Sequence, residues 1–173
     1  MQTLKKYNSV QHNQSNRLRA ASGFVFWVGL CFFAAFIGGL ATDTGTDSWY
    51  DHLDKPSWNP PNWVFGPVWT FLYAAMGIAA WLVWYKAGSF DKAQLPLSLF
   101  IIQLVLNTFW SLIFFGAESP GWAFVEITFL WTAIVATAIS FWQYSRTSSA
   151  LMIPYIAWVT FAAALNFAVW QLN

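Results

Sequence analysis

Five stretches of this chain are long and apolar enough to cross a lipid bilayer, and that constrains the fold more than anything else in it. A helix needs about 20 consecutive apolar residues to span the hydrocarbon. The stretches cover residues 21–41, 62–85, 94–115, 121–143 and 150–172, and Glu126 is the one charged residue inside them. Lipid offers no partner for backbone amides, so a spanning segment is either a helix or a strand of a closed barrel. Barrel strands run about 10 residues with alternating polarity, and these stretches are twice that without alternation. The pattern predicts an all-α membrane protein, a bundle of five transmembrane helices. Residues 1–20, rich in Asn, Gln and Ser, are expected to be a mobile N-terminal tail, and residues 21–173 the membrane domain. Only 9% of the chain is charged and 21% is aromatic. A soluble domain carries about 25% charged residues, so a soluble enzyme is excluded. A net charge of +1 creates no field that would recruit nucleic acid.

The first stretch follows a basic segment and ends in Gly39-Leu40-Ala41, which loosely resembles a signal-peptide cleavage site. Its apolar core is too long for that role, since signal cores run about 7–15 residues. It is expected to stay as a helix. Lys and Arg accumulate on the cytoplasmic side of membrane proteins. Lys5, Lys6, Arg17, Arg19, Lys86, Lys92 and Arg146 fall on one side of this topology, and only Lys55 falls on the other. That asymmetry predicts a multi-pass protein of the bacterial cell membrane with its N-terminus in the cytoplasm. No internal repeat is evident, which disfavours an inverted-repeat transporter.

The connection at 42–61 is unusual. Residues 49–63 hold Trp49, Trp58, Trp63, Tyr50 and three prolines. Proline fixes φ and lowers the cost of ordering a loop. The composition leaves two readings open: a belt of aromatics at headgroup depth, or a stiff lid folded over the bundle. Helical spacing puts Trp69, Tyr73 and Met76 on one face of the second span. Gln103, Asn107, Trp110, Ser111 and Phe114 share a face of the third, and Pro154, Trp158, Ala162, Leu165 and Asn166 a face of the fifth. Buried amides are costly unless paired, so these faces are expected to point inward. They describe a dry, aromatic-walled pocket suited to a flat hydrophobic ligand. Glu126 reads either as a functional carboxylate at depth or as a structural hydrogen-bonding group. Catalytic chemistry has little to work with. His12 lies in the tail and His52 alone in the connection, Cys31 is the single cysteine, and no metal cluster or phosphate-binding loop is present. No cofactor is required on this reading, and nothing energises transport.

The sequence also resembles a known family. Trp49-Tyr50, Lys55-Pro56-Ser57-Trp58-Asn59-Pro60-Pro61 and Val64-Phe65-Gly66-Pro67-Val68-Trp69-Thr70 resemble the signature of the TspO/MBR family, the tryptophan-rich sensory and translocator proteins also known as peripheral-type benzodiazepine receptors. Leu106-Asn107, Trp110-Ser111 and Phe114-Phe115-Gly116 resemble its third helix. Pro154-Tyr155, Trp158, Phe161-Ala162, Leu165-Asn166, Trp170 and Leu172-Asn173 resemble its fifth. The resemblance covers residues 22–173 and implies a five-helix bundle, often a homodimer. It implies binding of porphyrins, haem and related tetrapyrroles, and of benzodiazepine-type synthetic ligands. The pocket it implies consists of Tyr50, Pro60, Trp69, Tyr73, Asn107, Trp110, Ser111, Phe114, Trp158, Ala162 and Leu165. The implied role is sensory or transport-related. An alternative is light-dependent porphyrin degradation, for which the implied catalytic residues are Trp69 and Trp158.

Two departures qualify the resemblance. The sterol-recognition pattern of animal members needs a Tyr and a basic residue near the end of the fifth helix. Here Phe167 and Gln171 stand instead, so cholesterol binding is expected to be weak or absent. The third span lacks the small-residue run of the family's dimer contact. The first span has one, at Ala34/Gly38 and Ala35/Gly39, which leaves the dimer interface open.

Overall fold

The computed structural model describes residues 2–173, with side chains for residue 14 and residues 16–173. Its helices are α1 (Gln2–Ala41), α2 (Trp49–His52), α3 (Phe65–Ala87), α4 (Gln94–Ser111), α5 (Pro120–Trp142), α6 (Arg146–Leu151) and α7 (Ile153–Leu172). Five helical segments are long and apolar enough to span a membrane, within a few residues of the stretches expected from sequence. The polar segment before residue 21 does not begin a separate element, because helix α1 runs through it without a break. The other helix ends follow local chemistry. Gly88, at φ 88°, ends α3 in the left-handed conformation that glycine adopts without steric cost. Pro120 opens α5, where its missing N–H is no loss. The Ser145 hydroxyl accepts from the Ser148 amide to cap α6. After α4 the helix loosens into a π-turn at Leu112–Gly116.

Helix α1 packs against α3 and α4, α4 against α5, α5 against α7, and α3 touches α7, so the spans close into a ring. Arg19 donates to the Gly88 carbonyl, Tyr144 to the Lys92 carbonyl at 2.6 Å and Lys86 to Ser145 at 3.3 Å. These contacts gather the turns after α3 and α5 at the end where α1 enters the bundle. The 42–61 connection, the turn after α4 and the last residue of α7 meet at the other. There Asn173 and Asp54 exchange two hydrogen bonds of 3.0 Å. Arg19, Lys86, Lys92 and Arg146 therefore lie at the opposite end of the bundle from Lys55.

The half nearer the α1 entry is solid. Phe100 and Phe141 stack at 6.0 Å, and both are fully buried with Met76, Ala79, Ala80 and Leu97. Small residues let the helices approach: a Cβ on Gly77 would lie 2.7 Å from the Val28 Cα. The small residues of α1 are used within the chain as well. Ala34 is buried, and Gly38 backs onto the Ser111 side chain. Gly39, by contrast, is exposed with open space beside it.

Candidate functional site

The half nearer the long connection is built from aromatics, and it is hollow. A cavity of about 480 Å³ lies between α1, α3, the end of α4 with its π-turn, and α7, with the connection folded over its mouth. From α3 come Trp69 and Tyr73, whose rings lie 5.5 Å apart. Trp110, Ser111 and Phe114 come from the α4 side, with Trp110 and Phe114 stacked at 5.1 Å. Helix α7 contributes Trp158, Ala162 and Leu165.

The connection acts as a lid. Tyr50 on α2 is buried and lines the cavity, and its hydroxyl donates to the Asn59 side-chain Oδ1 at 3.2 Å. Burial pushes the Tyr50 phenol above its ordinary range, while the hydrogen bond to Asn59 acts in the opposite direction. Lys55 lies 4.7 Å over the Tyr50 ring and donates to the Asp51 and Leu53 carbonyls, both at 3.1 Å. Asn62 donates to the Thr44 carbonyl at 3.0 Å, tying the two ends of the connection together. Trp58 packs edge-on against Phe161 at 5.8 Å, yet Trp58 and Trp63 keep much of their surface exposed. Part of the segment thus folds inward over the cavity and part faces out.

All the pocket residues named from the sequence line this cavity except Pro60 and Asn107. Pro60 is half-buried in the lid, where its carbonyl accepts from the Asn59 amide. Asn107 lies one layer deeper. Its side-chain Oδ1 accepts from the Tyr73 hydroxyl, and its Nδ2 donates to the Tyr155 hydroxyl at 3.0 Å. It thereby pins α3 and α7 to α4 beneath the cavity floor. Asn166 does line the cavity: it accepts from the Trp110 indole at 3.0 Å and donates to the Pro120 carbonyl at 2.7 Å. Gln103 faces inward too, next to the Met76 sulfur. Pro154 is exposed and does not share the inward face of α7.

The wall that sequence reasoning missed is α1. Phe32, Ala35, Gly38, Gly39 and Thr42 all border the cavity. The Ala/Gly spacing was the available signal, and it reads equally well as a helix-dimer motif. Among the described residues, Gln103 Oε1, Ser148 Oγ, Trp158 Nε1 and both Glu126 oxygens are buried without hydrogen-bond partners. No group of three or more His, Cys, Asp or Glu that could hold a metal ion occurs among the described residues. The site offers aromatic faces, a few fixed amides and hydroxyls, and the buried, unpartnered indole donor of Trp158.

A profile described as the TspO/MBR family matches residues 27–171. The chain is 48% identical to the human Translocator protein over 126 residues, 72% of this chain and 75% of that protein. It is 43% identical to the Tryptophan-rich protein TspO of Chlorobaculum tepidum, covering 84% of this chain and 92% of that one. It is 38% identical to the Tryptophan-rich sensory protein of Cereibacter sphaeroides over 85% of this chain and 92% of the relative. With five spans, an aromatic lid and a profile match over most of its length, the chain is a multi-pass membrane protein that belongs to the TspO/MBR family.

Proposed function

We propose that this protein binds a porphyrin or related tetrapyrrole, haem included, in the lidded cavity, and acts as a membrane sensor or transport-related protein. The observation that carries this reading is the cavity itself. Its volume of about 480 Å³ falls in the usual range for small-molecule sites, about 300–1,000 Å³. Four indoles line it, those of Trp69, Trp110 and Trp158 from three different helices and that of Trp63 from the end of the connection. Offset or edge-on contact with an indole favours a flat π-system by about 0.5–1.5 kcal/mol beyond the area buried. The unpartnered Trp158 N–H would donate to an acceptor on the ligand. Relatives named as a sensory protein and as a translocator support a role in sensing or movement of a ligand. Flat synthetic ligands of the benzodiazepine type suit the same walls.

The test is a porphyrin titration of the detergent-purified protein in the dark, followed by tryptophan fluorescence. The signal falls saturably in the wild type, and Trp69→Ala and Trp158→Ala each weaken binding several-fold. Unchanged affinity in both variants places the site elsewhere. A parallel illuminated series separates binding from turnover: light-driven porphyrin loss that proceeds equally in Trp69→Phe, Trp158→Phe and empty micelles leaves binding alone.

The same proposal puts the N-terminus in the cytoplasm of a bacterial cell and makes the protein a homodimer. A cysteine introduced at Ser57 is then labelled by an impermeant thiol reagent from outside the inner membrane. Labelling only after that membrane is lysed reverses the orientation.

A further inference from the structure

A second cavity, of about 660 Å³, opens on the far side of the lid from the first. Its walls are Trp49 and Leu53 of the connection, residues 118–122 and Val125 around the start of α5, and Trp170 and Asn173 at the end of α7. The adjacent residues Trp49 and Tyr50 thus face different cavities. Three indoles and one carboxylate, that of Glu118, supply its recognition chemistry, and no Lys, Arg or His is among its lining residues.

We propose that this cavity binds the ammonium headgroup of a phospholipid, choline or ethanolamine in type, from the leaflet at the lid end. A cation is favoured over indole faces and beside a carboxylate. These walls are held in place. The turn that presents Glu118 is closed by bonds from the Ala117 amide to the Leu112 carbonyl at 2.8 Å and from the Ser119 amide to the Ile113 carbonyl at 3.2 Å. Trp170 stacks on Phe124 at 5.9 Å and lies against Gly121, where a Cβ would meet its Nε1 at 2.9 Å. Asn173 is fastened to Asp54 by the pair of bonds described above.

The position selects a lipid as the source of the cation. The walls are the first turn of α5 and the last turn of α7, at the boundary of the hydrocarbon. Trp122 is 72% exposed there. Below it, Val125 and Phe129 continue the same exposed face of α5 toward the bilayer centre, a path for acyl chains. The phosphate of such a headgroup would meet the start of α5, which has no side-chain cap and where the helix dipole favours an anion.

The experiment reconstitutes the protein with an equimolar mixture of phosphatidylcholine and phosphatidylglycerol, then measures the lipids retained after mild detergent washing by native mass spectrometry. The wild type retains phosphatidylcholine in preference. Glu118→Gln lowers that preference about tenfold and Trp122→Leu about threefold, the scale of single cation contacts with a carboxylate or an indole. Neither residue lines the first cavity, so circular dichroism and porphyrin titration of both variants stay at wild-type values and show that they fold. Equal retention of the two lipids, or a preference that survives both substitutions, overturns the proposal. Choline chloride, which carries the cation without chains, competes weakly. Choline binding without retention of phosphatidylcholine would overturn the lipid assignment.

Discussion

The two halves of the bundle are made from similar residues and behave differently. Near the α1 entry, Ala79, Ala80, Ala93 and Gly77 bring the helices together, and Phe100, Phe141 and Leu97 fill the remaining space completely. Near the lid, Trp69, Trp110 and Trp158 line a void between α3, α4 and α7. Close packing follows when large side chains face small ones, because the volumes interdigitate. When large rings face one another across an axis they prop the helices open. On the function proposed above, the contrast assigns stability chiefly to one half and ligand binding to the other.

The sharpest way to break this division is truncation on each side. Phe100→Ala leaves a cavity in a sealed core and is expected to cost about 3–5 kcal/mol, read as a large fall in melting temperature in detergent. Trp158→Ala removes a ring that already borders empty space, and it is expected to cost about 1 kcal/mol while weakening porphyrin binding. Equal falls in melting temperature would mean that the halves are not energetically distinct. A gentler version uses glycine. Gly77→Val drives a side chain into the Val28 backbone and should cost about 1–3 kcal/mol by overpacking. Gly39→Ala, whose Cβ meets nothing within 4 Å, should stay within about 0.5 kcal/mol of the parent.

The next two predictions refine the ligand-binding half. Phe167 and Gln171 lie exposed near the end of α7 and do not line the lidded cavity. Replacing them together, Phe167→Tyr with Gln171→Arg, restores two polar partners for a sterol hydroxyl, each worth about 0.5–1.5 kcal/mol. Cholesterol affinity should rise about tenfold while porphyrin affinity is unchanged. Tight cholesterol binding before the substitution, or no gain after it, would show that this end of α7 does not determine sterol affinity. Ala162→Thr, inside the cavity, adds a β-branched side chain to a wall between Trp158 and Leu165. It should weaken porphyrin binding about threefold, and a dissociation constant within error of the parent would mean that the ligand does not reach α7 at this level.

Much of this organisation was legible from local pattern. Runs of about 20 apolar residues identify spans because bilayer thickness and helix rise are fixed lengths. A buried amide in lipid is costly, so Gln103, Asn107 and Asn166 marked the inward faces of α4 and α7, and all three are buried. The segregation of basic residues along the axis also follows from topology alone. What sits opposite an inward face is decided by how neighbouring helices cross and by which side chains have the volume to fill the gap. Asn107 therefore ties two tyrosines together below the floor, while Asn166, on an equally polar stripe, reaches the cavity wall. Pro154 turns outward despite its spacing. The Ala/Gly positions of α1 are compatible with any close approach, and only the ring of helices directed them to α4 and the cavity. A helical period says which residues share a face, because that is geometry within one segment. Which neighbour the face meets is a long-range property of packing, and here it decided which residues became the walls of the site.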